Sequence, residues 1–68
     1  MAEIKEKIID ELKGNVPDEV VNEIQKLIIQ EKYRWAFDNL QKLKESKDWQ
    51  PTEKFLYLLE KFWWTYAN

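Results

Sequence analysis

Residues 20–43 read VVNEIQKLIIQEKYRWAFDNLQKL, and the phase of their apolar positions decides the fold. Val20, Val21, Ile24, Leu27 and Ile28 recur at the spacing of a core-facing amphipathic helix. Tyr33, Ala36, Phe37, Leu40 and Leu43 form a second stripe, which lies roughly 150° around the axis from the first if one helical phase is carried through. One straight helix cannot bury both stripes on one neighbour. Either the chain turns near Gln30, Glu31 and Lys32, making residues 17–46 a helical hairpin, or one long helix packs on two neighbours, as in a domain-swapped dimer. A compact monomer needs the turn, so the turn is the expectation, although neither Gly nor Pro marks it.

The flanking segments punctuate more plainly. Pro17 suits the first position of a helix, and Asp18 and Glu19 follow where the helix dipole favours negative charge. Upstream, EIKEKIIDELK places Ile4, Ile8, Ile9 and Leu12 on one narrow stripe, with Gly14 where a left-handed C-terminal cap is wanted. Downstream, residues 47–50 read as a loop, and Pro51, Thr52 and Glu53 repeat the Pro-polar-acid opening of the second helix. The expectation is one all-α domain over residues 1–68. Four short helices, roughly 3–13, 17–30, 32–46 and 51–66, form a small bundle.

The spacing of Val20, Ile24, Leu27, Tyr33, Ala36, Leu40 and Leu43 resembles one tetratricopeptide-type helical hairpin, and EKYRWAFDNLQKL is similar to the second helix of such a repeat. The likeness covers about a third of the chain and departs where that family wants small residues, at Ile24 and Glu31. No second copy follows, and a lone hairpin builds no stacked groove, so the resemblance implies hairpin geometry and no binding residues.

Composition narrows the chemistry. With no Cys and no His, neither a disulfide nor a familiar zinc site can staple a chain of 68 residues, so stability rests on packing or on a partner. Ser46 is the only serine and has no imidazole to activate it, and one glycine cannot make a phosphate-binding loop. Asp18, Glu19 and Glu23 crowd one end of the second helix, where they read as dipole-stabilising acids. No enzyme activity, metal or cofactor is expected. The net charge of -2 argues against a dedicated nucleic-acid binder, although residues 32–47 carry +3. Lys and Glu dominate the polar set, a bias reported for hyperthermophiles. Neither a signal peptide nor a transmembrane span is expected, and the cytoplasm is the expected location.

The aromatic residues remain to be placed. In FLYLLEKFWWTYAN, residues 55–68, Phe55, Leu58, Leu59, Phe62 and Tyr66 share one side of a helix. Leu56 and Trp63 fall on the flank, while Tyr57 and Trp64 stand opposite the core stripe, one above the other. A C-terminal helix wrapped by the other three would be apolar all round for that reason. The narrow stripes of the other three helices offer too little surface for that. Trp35 is left over in the same way on the polar side of the third helix, and Trp49 in the loop is a fourth candidate.

Aromatic side chains dominate interface hot spots. The leading expectation is therefore a non-catalytic accessory or adaptor subunit of a larger complex, such as replication or transcription machinery, docking through Tyr57, Trp64, Trp63 and Leu56. Alternatives are weak single-stranded nucleic-acid binding through Arg34, Trp35, Lys42, Lys47 and Trp49, a membrane-surface role for the last helix, and a self-associating homo-oligomer.

Overall fold

The structure is a computed structural model that describes residues 3–68. It contains α1 (Ile4–Leu12), α2 (Asp18–Ile29), α3 (Tyr33–Lys44) and α4 (Glu53–Phe62), and α4 runs on into a π turn (Trp63–Ala67). Among the described residues no strand forms. Each helix packs on its neighbours in sequence, and α1 closes the ring against α4. The common core holds Ile8, Leu12, Ile24, Ala36, Leu40, Phe55 and Phe62, all essentially inaccessible to water.

The turn between the two stripes is real. A continuous helix over residues 18–44 would be about 40 Å long at ~1.5 Å per residue, whereas the longest dimension of the molecule is 27 Å. The chain reverses through a Schellman motif, with the Lys32 amide donating to the Leu27 carbonyl at 2.9 Å and the Glu31 amide to the Ile28 carbonyl at 3.0 Å. That motif places Glu31 at φ 60, in the left-handed region where glycine is usual. A side chain there costs about 1–2 kcal/mol, so the position tells from geometry what composition conceals.

The α1–α2 connection differs in detail from the expected helix cap. Lys13 is extended and Gly14 has φ 83, which with the Asn15 amide donating to the Leu12 carbonyl at 3.0 Å makes a type II turn. Glycine is required there, but by a turn beyond the helix. Pro17, expected as the first helical residue, is the N-cap, with ψ 145. Just before it, Val16 is buried with Val21, at the two positions of a hydrophobic staple.

Thr52 starts α4. Its hydroxyl accepts the Phe55 amide at 3.0 Å and donates to Glu11 Oε1 of α1 at 3.0 Å, so one side chain both caps the helix and ties it to its neighbour. Lys54 Nζ lies 3.8 Å from the same Glu11 carboxylate. The α3–α4 loop is pinned by Trp49, whose ring meets Phe55 edge-on at 4.9 Å.

Candidate functional site

The two sides of α4 separate cleanly. With the helix set by Thr52, its period carries Phe55, Leu58, Leu59 and Phe62 inward, where all four are buried. The opposite side presents Tyr57, 58% exposed, and the first π-turn residues continue it with Trp64 at 63%. Lys61 Nζ sits 5.5 Å from the centre of the Tyr57 ring, a cation–π contact at the surface. A helix wrapped on all sides would show neither of these rings to water.

Leu56 and Trp63 occupy the flank towards α3. Leu56 is 37% exposed, and Trp63 is half-buried with its ring 5.0 Å from that of Phe37. Together with Leu59 they make the apolar floor of an open groove of about 370 Å³ between α3 and α4, rimmed by Gln41, Lys44 and Glu60. Phe37 is the groove residue that periodicity assigned to the core alone. Its partial burial, set by Trp63 rather than by the helix axis, is a tertiary property.

The π turn has an identifiable anchor. Arg34, at the start of α3, donates from Nε to the Ala67 carbonyl at 3.1 Å. Guanidinium at a helix C-terminus satisfies an otherwise orphaned carbonyl and matches the dipole. Tyr66 stacks on Tyr33 at 4.9 Å with an interplanar angle of 26°, and Ala67 is buried. The wider turn thus holds Tyr66 and Ala67 against α3 and leaves Trp64 outside.

Of the basic and aromatic residues of the third segment, Arg34 and Trp35 line one shallow pocket and Trp35 and Lys42 another, whereas Lys47 and Trp49 line neither. Arg34 is bound to the Ala67 carbonyl. Trp35, 61% exposed, lies beneath Lys32 at 5.1 Å and edges a cleft of about 570 Å³ between α2 and α3. Lys42 lines that same cleft, but so do Glu23 and Asp38. Lys47 stands exposed in the loop after α3. Trp49, expected as a free loop aromatic, is half-buried because it shields Phe55.

One further exposed residue was not signalled by the pattern. Ile29, the last residue of α2, is 74% exposed. Among the described residues no helix is long and apolar enough to cross a membrane, and no three acidic side chains are placed to share a metal ion. No protein-family model, curated protein or solved structure matches the chain.

Proposed function

We propose that the chain is a non-catalytic protein-binding module, an accessory or adaptor subunit that docks on a larger protein through the outward side of α4. The observation that carries this reading is the pair Tyr57 and Trp64, two large rings held in water on the side of α4 opposite its buried stripe. Beside them the groove floored by Leu56, Leu59, Phe37 and Trp63 offers an apolar slot with a polar rim. Rigid aromatic anchors next to a groove are the surface chemistry of interface hot spots, where large area is buried at little cost in rotamer entropy.

Charge favours the same face. Glu60, Lys61 and Lys44 interleave with the rings, so the surface has both signs and suits a protein better than a polyanion. The test is affinity capture from a lysate of the native source with wild type, the Tyr57→Ala, Trp64→Ala double variant, and Trp35→Ala as a control. The expected result is a protein held by wild type and by the control and lost by the double variant. Retention unchanged in the double variant, or no protein retained by any of the three, overturns the reading.

A further inference from the structure

We propose that the chain also exchanges halves with a second copy of itself. The α2–α3 turn opens, α2 and α3 join into one helix, and each α1–α2 pair packs on α3, α4 and the π turn of the other chain.

The turn is built to open. Glu31 holds a left-handed conformation without being glycine, and short strained hinges invite exchange. The residues around it, Gln30, Glu31, Lys32 and Arg34, are good helix formers with no breaker among them. α3 starts without a side-chain cap and with no acidic residue in its first turn, while Lys32 and Arg34 at that end carry the charge its dipole disfavours. In a straightened helix Glu31 relaxes to helical dihedrals. The amides of Tyr33, Arg34 and Trp35 then reach the carbonyls of Ile29, Gln30 and Glu31.

The exchange also accounts for two exposed side chains that the closed chain leaves unexplained. Ile29 precedes Tyr33, Ala36 and Leu40 by four, seven and eleven residues, so in a continuous helix it extends the stripe of α3 backwards. Trp35 follows Ile28, Leu27 and Ile24 by seven, eight and eleven residues, so it extends the stripe of α2 forwards. Each becomes continuous with the established α2–α3 interface and lies at the seam between the two exchanged lobes. In the closed chain the stripes are cut at the hinge, and both side chains face water.

A second copy also fits because it can supply the contacts between the two halves that opening removes. The two halves of the chain meet through the α1–α4 and α2–α3 contacts, with α3 and α4 staying together in one half and α1 and α2 in the other. Exchange re-forms those contacts between chains, including the Thr52–Glu11 bond. The outward side of α4 takes no part, so this inference does not rest on the proposed docking face.

The test is refolding of the full chain at millimolar concentration, followed by light scattering and by isotope-filtered NOE spectroscopy on a mixed-label sample. The expected result is a dimer with inter-chain contacts between Ile24 and Leu43, which line one α2–α3 cleft. Glu31→Gly relieves the closed turn and weakens the joined helix in both chains, raising the dissociation constant by about a hundredfold or more. Glu31→Ala keeps the strain and favours helix, so its dimer is at least as strong as wild type. A wild type that stays monomeric after such refolding, a dimer whose Ile24–Leu43 contacts are within one chain, or equal dimerisation in Glu31→Gly overturns the proposal.

Discussion

Thr52 offers the sharpest test of how α4, and with it the candidate docking face, is held in place. Its hydroxyl makes two bonds at once, accepting the Phe55 amide and donating to the Glu11 carboxylate, each at 3.0 Å. Replacing an N-cap hydroxyl by Ala costs about 1 kcal/mol. The bond to Glu11 is exposed to solvent, which reduces its worth to about 0.5 kcal/mol. Thr52→Ala is therefore expected to destabilise the chain by about 1.5 kcal/mol. At ~4–8 °C per kcal/mol for a domain of this size, the thermal midpoint followed by far-UV circular dichroism falls by about 10 °C.

Two companions separate the roles. Thr52→Ser keeps both bonds and stays within about 0.5 kcal/mol of wild type. Thr52→Asp keeps the cap and the favourable charge at the helix start, but it sets a second carboxylate against Glu11. It falls below the Ser variant and recovers when Glu11→Gln is added. A Thr52→Ala midpoint indistinguishable from wild type, or a Ser variant as weak as Ala, would refute the dual role.

Other expectations concern the two sides of α4 and its end. Tyr57→Ala and Trp64→Ala each change stability by less than about 1 kcal/mol by urea unfolding, since they remove solvent-facing rings and one surface cation–π contact. Phe62→Ala, emptying a fully buried site between Tyr33 and Tyr66, costs about 3–5 kcal/mol and leaves the chain largely unfolded. Arg34→Lys keeps the charge but loses the Nε bond to Ala67, so hydrogen exchange of the π-turn amides accelerates while that of α1 does not. Trp49→Ala uncovers Phe55 and lowers stability by about 1–2 kcal/mol, measured by the same denaturant titration.

Much of this architecture is legible in the order of residues, and the parts that are not share a cause. A phase jump between Ile28 and Tyr33 announces the reversal, because periodicity within a helix is a local property that a side chain cannot evade. Gly14 likewise marks its turn. Glu31 marks nothing, since the left-handed residue of a Schellman motif is recognisable from sequence only when it is Gly or Asn. Trp49 and Val16 lie in connections with no period, so which core residue they cover depends on where helices far along the chain arrive. The π turn is farther out of reach still, held by a guanidinium 33 positions away in sequence.

The same division explains why the exposure of the outward side of α4 is the most readable feature of the candidate site. Helical phase fixes which residues of one helix cannot face its own core, and Tyr57 and Trp64 stand opposite that stripe wherever the neighbours lie. Phase does not tell how far a neighbour climbs around the flank. Trp63 and Leu56 have the same wheel position relative to one another as Trp64 and Tyr57, yet α3 reaches Trp63 through Phe37 and leaves Leu56 exposed on the groove floor. Flank residues are therefore shared between the fold and the surface. Trp63→Ala removes a ring that packs on Phe37 and also forms the groove floor, so it lowers stability and partner retention together, whereas Trp64→Ala lowers retention alone. That difference, measured on the two variants side by side, separates the contribution of α4 to its own bundle from its contribution to the proposed docking.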